Sequence, residues 1–402
     1  MKSIYGLPPS TYLLALAQSI NLTAAVLSVT VSALVGMRLA PNEVWGTAPY
    51  GFQFAMVMLC TYPASLLMRR YGRKTGFVFG ALLLFLSGCL GYVSVSNQNF
   101  EGLILAHGTL GIYIAFANFY RFAAVDNISG ESKAKAISMV VSGGILAAIL
   151  GPLLSMFLRD VSGFAEFSLC YAALSGLGFL TFFILHFWKP NNSKESDAKK
   201  PLLSRISLRG HELALLGIFA SSIGYFAMNL FMVQASLVMR SICSFNASSF
   251  AIQGHVIAMF LPSLFANKLI SQLGIRHVLT MGFSLMALAT VISISFFLEY
   301  DKVFIGLMLV GLGWNFTYVG GSALIAEKIL PEQRHLWQGV NDTVIAVCAT
   351  LGAFLPAPLL SALGWQGSNM LSMVLCCFAG IVCWVVFGRF DKPHPIGVSD
   401  VQ

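Results

Sequence analysis

Two histidines lie inside long apolar stretches of this chain and are the first candidates for chemistry. His107 falls in AHGTLGIYIAFANFYRFAAVD and His255 in IQGHVIAM. An ionisable side chain in the middle of a long apolar stretch is costly to bury, which makes it a functional candidate by default. Histidine titrates near neutral pH, so either residue could carry a proton. The alternative interpretation is a neutral histidine that hydrogen-bonds to a neighbouring helix.

Polar and aromatic side chains recur at helical spacing in other apolar stretches. Gln18 and Asn21 are followed by two serines at seven- and four-residue intervals, so all four share one helical face. Tyr225 and Asn229 follow the same rule further along. Amides are the stronger candidates for a binding role because an unpaired amide is costly in an apolar environment. Aromatic residues also simply pack between helices.

Composition shows what kind of element positions these residues. Of 402 residues, 57% are hydrophobic and only 10% are charged, and the mean hydropathy is +0.79. Soluble domains carry about 25% charged residues, so a soluble globular protein is excluded. Runs long enough to cross about 30 Å of hydrocarbon predict an all-α polytopic membrane protein. They lie near 11–37, 44–68, 75–95, 102–123, 135–158, 165–188, 212–239, 248–268, 277–298, 303–325, 337–360 and 366–388.

The placement of basic residues predicts the orientation. The formal charge of +8 could suggest a nucleic-acid partner, but the 24 Lys and Arg residues cluster between the apolar runs. When the loops are numbered alternately, 20 of these residues fall on one side and four on the other. The positive-inside rule makes the first side cytoplasmic. We therefore predict an inner-membrane protein with both termini in the cytoplasm and no nucleic-acid partner.

The motif content argues against an enzyme, a cofactor or a metal. Eight cysteines include no CxxC pair, and all but Cys243 sit in apolar segments, where thiols behave as small hydrophobes. The sequence has no HExxH, no GxSxG and no Walker loop. We expect a monomer whose partners are the lipid bilayer and a small solute.

The two halves of the chain repeat each other weakly. Leu67 and Gly72 match Leu269 and Gly274 at an offset of 202 residues, and GPLLS at 151 matches APLLS at 357. A polar stretch containing KPNNSKESDAKKP separates the halves and cannot bury a core. The predicted domains are an amino-terminal six-helix bundle at 1–188, a cytoplasmic linker at 189–211, a carboxyl-terminal six-helix bundle at 212–390 and a cytoplasmic tail at 391–402.

The segment SLLMRRYGRK at 65–74 resembles the loop 2/3 motif of the major facilitator superfamily, G-x-L-x-D-R-x-G-R-[RK]. Two positions depart from it, because Ser65 replaces the first glycine and Arg69 stands where the family has an acid. The resemblance extends over the chain in helix number, loop position and repeat. It implies two pseudo-symmetric bundles with twelve transmembrane helices. The matching residues are Leu67, Arg70, Gly72, Arg73 and Lys74.

The departure at Arg69 predicts an inverted contact at the cytoplasmic gate. In the family, the acid at this position approaches the start of helix 11, where the helix dipole favours a negative charge. Asp342 in QGVND lies near that start, so we expect Arg69 to pair with Asp342, and Arg70 or Arg73 to meet Asp126. Alternatively, Asp342 caps its own helix. The predicted gate residues are Arg69, Arg70, Gly72, Arg73, Asp126 and Asp342.

Helix 5, at 135–158, resembles a motif of the family's exporters. In SGGILAAILGPLLS, the residues Gly144, Gly151 and Pro152 resemble the pattern G-x-x-x-G-P, which favours export. In helix 4, His107 falls on the family's R-x-x-x-G pattern, with histidine in place of arginine. Proton coupling is weakened as a hypothesis because helix 1 and the middle of helix 4 lack the acids that many proton-coupled relatives have.

The resemblance also implies a substrate site, since helices 1, 4, 7 and 10 line the central cavity in this family. Amide hydrogen bonds and aromatic walls suit an uncharged or zwitterionic organic molecule with a flat or apolar part. The predicted cavity residues are Gln18, Asn21, Tyr113, Asn118, Tyr225, Asn229, Trp314, Asn315 and Tyr318.

Three functions remain open from the sequence. The first is a secondary transporter that exports a drug, siderophore or metabolite by alternating access, with protons as the candidate counter-ion and His107 or His255 as their carrier. The second is an importer of a nutrient or vitamin with the same fold. The third, from another class, is a non-transporting membrane receptor or an intramembrane enzyme. The helix-5 motif favours the first.

Overall fold

The computed structural model describes residues 7–124, 136, 139–140, 143–189, 210–294, 298–330 and 333–390. Within these ranges every regular element is a helix. Nine of the described helices are long and apolar enough to cross a membrane, and α5 is a shorter apolar helix. The main helices are α1 (Pro9–Leu39), α2 (Ala48–Tyr71), α3 (Arg73–Ser96), α4 (Phe100–Ala117), α5 (Gly143–Leu158), α6 (Ser168–Phe187), α7 (Glu212–Ile242), α8 (Phe245–Phe260), α9 (Ile275–Ser293), α10 (Tyr300–Lys328), α11 (Arg334–Phe354) and α12 (Pro356–Phe390).

These helices follow the order of the twelve predicted segments, with interruptions that the hydropathy pattern does not show. The segment after α8 passes through a 3-10 turn at Leu261–Leu264 before a short helix, Ala266–Leu273, because Pro262 lacks the backbone N–H that a regular helix would use. The predicted eleventh segment is broken at Leu355. Within α12, Gly364 takes a φ of 64° and breaks the helix again.

The helices form two six-helix bundles with separate cores. The amino-terminal core contains Phe77, Tyr120 and Tyr171, all of them fully buried. The carboxyl-terminal core is continuous with a few residues of the amino-terminal half, including Val26 and Tyr50. The bundles therefore pack directly against each other. Large apolar side chains such as those of α12 are exposed on the outside of the molecule, as expected for a surface that faces lipid.

The sequence repeat corresponds to a repeated turn. Gly72 joins α2 to α3 with a φ of 87°, and Gly274 precedes α9 with a φ of 78°. L-residues with a side chain rarely adopt such angles, so glycine is required at both turns. The end of α2 and the start of α3 are fixed by this turn in the first half, and the same arrangement recurs 202 residues later.

The cation two residues after each turn docks on the last helix of its own bundle. Lys74 Nζ donates a hydrogen bond to the carbonyl of His186, near the end of α6, over 2.8 Å. In the second half, Arg276 Cζ lies 3.6 Å from the ring centroid of Trp384 in α12, and a side chain at Gly388 would meet its guanidinium group. Positions 186 and 388 are again 202 residues apart.

Candidate functional site

Four aromatic rings from α7, α8 and α10 form a cluster between the two bundles. Trp314 and Tyr318 stack, with centroids 5.1 Å apart and an interplanar angle of 8°. Tyr225 meets Trp314 edge-on at 5.4 Å, and Phe260 does so at 6.2 Å. We call Tyr225, Phe260, Trp314 and Tyr318 the aromatic cluster. Three of its members were predicted from the sequence, and Phe260 was not.

The aromatic cluster and residues of the amino-terminal bundle share the carboxyl-terminal core. Tyr50 is one of the buried residues of this core, and Leu22 and Phe54 pack against it, as do the cluster residues Tyr225 and Tyr318. On the α5 side, a side chain at Gly144 would press on the ring of Phe260. The aromatic cluster therefore lies where the two halves meet, which is the position that the family resemblance implies for a substrate site.

The predicted amides differ in how fully they are paired. Asn315 Nδ2 donates to the carbonyl of Met259 over 2.7 Å, and Asn229 Nδ2 donates to the carbonyl of Ala349 over 3.1 Å. Asn21 Nδ2 faces Gln18 Oε1 at 3.4 Å. Asn21 Oδ1 and Asn315 Oδ1 are buried and have no partner in the described part of the chain. These two oxygens can accept a hydrogen bond from a solute.

Two predicted cavity residues lie elsewhere. Tyr113 is fully buried in the core of the amino-terminal bundle and packs beside Gly80 of α3. Its position on α4 places it on the face that meets α3, not on the face toward the other half. Asn118 follows the last residue of α4, and its backbone N–H bonds to the carbonyl of Ile114. The apolar span ends at Ala123, as the sequence predicted, but Asn118 lies in the break between α4 and the turn Tyr120–Ala123.

Both histidines hydrogen-bond to neighbouring helices. His107 Nδ1 lies 3.0 Å from Gln53 Oε1, and its Nε2 lies 3.0 Å from the Tyr171 hydroxyl. Ser28 Oγ donates to the same Gln53 oxygen over 2.7 Å, so this network joins α1, α2, α4 and α6. His255 Nδ1 lies 2.7 Å from the carbonyl of Leu307 in α10. The geometry matches the alternative interpretation of a neutral, paired histidine.

The predicted pairing at the cytoplasmic gate is corrected. Asp342 Oδ2 lies 3.7 Å from Arg121, and among the described residues it forms no ion pair with Arg69. Arg121 sits on the single helical turn Tyr120–Ala123 after α4, which brings it to α11. Asp342 lies two turns into α11 and does not cap it.

The remaining predicted gate residues lie around the Gly72 turn. Arg70 lies over the ring of its neighbour Tyr71, with 5.2 Å from Cζ to the centroid. Arg73 is the first residue of α3. Asp126 lies outside the described residues. We call the end of the molecule with Gly72 and the Arg121–Asp342 pair the Gly72 side.

The opposite end, here the Thr47 side, joins the halves through contacts that the sequence did not indicate. The Thr47 hydroxyl donates to the carbonyl of Phe354 over 2.9 Å and accepts from Ala357 N over 3.4 Å. Phe354 would normally bond to the N–H four residues later, but that residue is Pro358, which has none. Thr47 therefore satisfies a carbonyl that a proline leaves open. Next to it, a side chain at Gly51 would overlap the ring of Phe354.

A second contact on the Thr47 side involves charge and aromatic rings. Arg159 Cζ lies 4.8 Å from the ring centroid of Phe245, the first residue of α8. Phe167 meets Phe245 edge-on at 5.5 Å. The Glu166 carboxylate forms ion pairs with Arg159 over 2.7 Å and with Arg38 over 2.9 Å. Only the rarity of basic residues on this side could have drawn attention to Arg159.

The helix-5 motif has a packing role. A side chain at Gly151 would meet Val26 of α1, as one at Gly144 would meet Phe260 of α8. Pro152 is buried inside α5. These small residues let α5 approach helices of both halves, a role that does not depend on transport direction.

Two clefts open on the Thr47 side of the molecule and neither is lined by a predicted cavity residue. One of about 290 Å³ lies between the halves and is lined by Met37, Leu237 and Trp365 among others. The other, of about 420 Å³, lies beside Pro41 and Asn97. Among the described residues, no three His, Cys, Asp or Glu side chains are grouped so that they could hold a metal ion.

Relatives are consistent with this architecture. The Brucella anthropi protein described as riboflavin transporter RfnT is 31% identical over 365 residues, which cover 89% of this chain and 91% of the relative. The uncharacterized MFS-type transporter YddS of Bacillus subtilis is 25% identical over 363 residues, covering 81% of this chain and 79% of the relative.

Solved structures share the fold. The nucleoside transporter NupG superimposes with a TM-score of 0.70 at 11% identity, covering 96% of this chain and all of that one. A bacterial homolog of the human lysosomal transporter Spinster gives 0.71 at 16% identity, with 96% and 98% covered. The family model of the Major Facilitator Superfamily matches residues 9–240 and 214–400. With its two helical bundles and its apolar outer surface, the chain belongs to the major facilitator superfamily of integral membrane transporters for small solutes.

Proposed function

We propose that this chain imports riboflavin, or a vitamin with a similarly flat ring system, by alternating access. The aromatic cluster carries the proposal, because the stacked Trp314 and Tyr318 offer flat apolar surfaces for a planar ring. The full-length similarity to a riboflavin transporter supports the same substrate. The import alternative is therefore better supported than export, and the relatives give no support to efflux or antiport.

In this mechanism the two bundles open alternately around the aromatic cluster. The contacts at Thr47 and Arg159 close one side, and the Arg121–Asp342 pair links the halves on the other. A solute shifts such an equilibrium only as far as it binds the two states differently. The aromatic cluster belongs to the carboxyl-terminal half, and Tyr50 and Phe54 of the amino-terminal half lie in the same core. The two halves can therefore meet the solute together in one conformation and part in the other, which provides that difference.

Proton coupling through His107 or His255 stays a prediction. Both ring nitrogens of His107 have partners within hydrogen-bond distance. His255 Nε2 is buried without a partner in the described residues, so it is the better candidate of the two. If the double His→Gln variant kept the wild-type dependence of uptake on pH, neither histidine would be the coupling group.

Uptake of labelled riboflavin by a riboflavin-requiring bacterium tests the proposed function. Wild type should raise uptake well above empty vector. Removing a stacking surface with Tyr318→Leu should lower it about tenfold, since stacking on an aromatic side chain contributes about 1–3 kcal/mol. Tyr62→Leu is the matched control, because Tyr62 is 72% exposed on α2. Uptake equal to empty vector, or flavin lost from preloaded cells instead, would overturn import.

We also propose the topology and domain limits that the sequence predicts. The bundles are 1–188 and 212–390, the linker is 189–211, the tail is 391–402, and the protein acts as a monomeric transporter, not as an enzyme, in an inner membrane with cytoplasmic termini. Most of the linker and the tail lie outside the described residues. The charge partition supports this orientation. Cysteines placed at Asn192 and at Asn246 should label from opposite sides.

A further inference from the structure

Two buried polar atoms beside the aromatic cluster have no hydrogen-bond partner among the described residues. They are Trp314 Nε1 and Asn315 Oδ1, on consecutive residues of α10. The first can only donate a hydrogen bond and the second can only accept one. Trp314 is 5% exposed and Asn315 is 1% exposed. Buried polar atoms are nearly always paired, so an unpaired donor and an unpaired acceptor on neighbouring residues suggest a missing partner.

The orientation of the Asn315 amide is determined by its surroundings. Its nitrogen donates to the carbonyl of Met259 over 2.7 Å and to the Ser263 hydroxyl over 2.5 Å. A backbone carbonyl can only accept, so the amide nitrogen must face α8. Oδ1 is thereby presented as a fixed acceptor that needs no reorientation when a solute arrives.

Both polar groups lie beside the same turn of α8. The Trp314 ring contacts Phe260, and Asn315 is bonded to Met259, the residue before it. Because Trp314 also stacks on Tyr318, its N–H lies at the edge of a flat apolar surface. A donor, an acceptor and a stacking surface therefore lie against the same turn of α8, beside the core that both halves share.

We infer that Asn315 and Trp314 recognise the polar edge of a planar heterocycle, one in which a ring N–H is flanked by a ring carbonyl. This inference rests on the proposed function and specifies its substrate class. In riboflavin, Asn315 Oδ1 accepts from the imide N–H of the ring system and Trp314 Nε1 donates to an adjacent carbonyl. An aromatic solute without such an edge leaves both protein atoms unpaired, and a site of this kind discriminates against it.

Binding of riboflavin and 3-methylriboflavin to the purified full-length protein tests the inference, with quenching of flavin fluorescence as the readout. The methyl group replaces the imide hydrogen and leaves the rings and the sugar chain unchanged. Wild type should bind riboflavin at least about tenfold more tightly, as expected for one buried hydrogen bond. Asn315→Ala should reduce this ratio to about one while its affinity for 3-methylriboflavin stays close to wild type. Ser263→Ala, which keeps the Met259 contact, should preserve the ratio.

Trp314→Phe provides an independent arm, since it keeps a stacking ring and removes the N–H. It should weaken both flavins by a similar factor, about fivefold, because both retain the carbonyls. Equal binding of the two flavins by wild type would overturn the inference and leave the proposed function standing. An unchanged ratio in Asn315→Ala would mean that the amide only ties α10 to α8. Binding of neither flavin would overturn both proposals.

Discussion

The two ends of the molecule join the bundles by different kinds of contact. On the Thr47 side, a fully buried hydroxyl bonds to two backbone groups of the other half. On the Gly72 side, in the part that the structure describes, Arg121 and Asp342 form an ion pair with side chains 36% and 51% exposed. The first contact is neutral and shielded from solvent, whereas the second is charged and open to it.

This difference predicts which of the two sides costs more free energy to open. Leaving a buried donor or acceptor unpaired costs about 1–3 kcal/mol, while an exposed ion pair contributes about 0–1 kcal/mol. The Thr47 side should therefore be the harder one to open. Salt should weaken the Arg121–Asp342 pair more than the Thr47 contact, since screening acts on exposed charges.

The largest effect is expected from Gly51→Ala. The new methyl group would overlap the ring of Phe354 and force the halves apart on the Thr47 side. Overpacking of this kind costs about 1–3 kcal/mol, so the closed state should lose between about fivefold and about a hundredfold in population. The opening can be measured with a single cysteine placed at Leu237, in the cleft between the halves, after the native cysteines have been removed. This cysteine should react with a thiol reagent faster in Gly51→Ala than in the wild-type sequence. Gly176→Ala is the control, because a methyl group there meets no atom; equal labelling in both variants would contradict the closed contact.

Thr47→Val should open the same side by about tenfold. The change keeps the shape of the side chain but leaves the carbonyl of Phe354 and the N–H of Ala357 without the hydroxyl, at about 1–2 kcal/mol. The rate of thiol labelling of the cysteine at Leu237 measures this opening. Thr109→Val is the matched control, since the Thr109 hydroxyl bonds within its own helix to Leu105. If both valine variants behave alike, the hydroxyl does not hold the halves together.

Charge reversal at the Gly72 side should have a smaller effect. Asp342→Arg should lower riboflavin uptake no more than about fivefold, in keeping with about 1 kcal/mol for an exposed pair. Adding Arg121→Asp should restore part of it, and adding Arg69→Asp should not. Rescue by the Arg69 change alone would reinstate the pairing expected from the sequence. High salt should reduce the difference between wild type and Asp342→Arg.

The smallest effect is expected from Phe245→Leu. Leucine keeps apolar bulk on the Thr47 side and removes the ring under Arg159, a cation–π contact of about 0.5–1 kcal/mol at an exposed site. Labelling at Leu237 should rise about two- to fivefold. Phe250→Leu, on the same helix but stacked on Phe304 of its own half, should change nothing. A larger effect than that of Thr47→Val would reverse the assigned order of the two contacts.

The sequence was sufficient for the fold because the fold depends on local patterns. Apolar run lengths, the charge partition and the Gly72 motif predicted the family and the two-bundle architecture, and both are confirmed. The cavity position predicted for Tyr113 and the predicted Arg69–Asp342 pair differ from the structure, and the reason is that neither depends on a local pattern. Which face of a helix meets its neighbour, and which of several arginines reaches an acid, depends on helix rotation and on where a helix ends. A single sequence carries little information on either.

In the aromatic cluster, the sequence predicted the members that lie close together in the chain and missed the contact between distant residues. Trp314 and Tyr318 were predicted because they lie near the middle of the tenth apolar run, a helix that lines the central cavity in this family. Phe260 joins them only because α8 and α10 pack together, and Thr47 bonds to a residue more than 300 positions away. Contacts of this length have no periodic signature in the chain.

The docking of Lys74 on α6 and of Arg276 on α12 bears on how the protein is made. In each half, the turn after the second helix is tied to the sixth helix of the same half. The first bundle therefore has the contacts that close it before the second has left the ribosome, and domains made in this order fold as units. We expect the chain, cut within the linker and expressed as two polypeptides, to assemble into a working transporter.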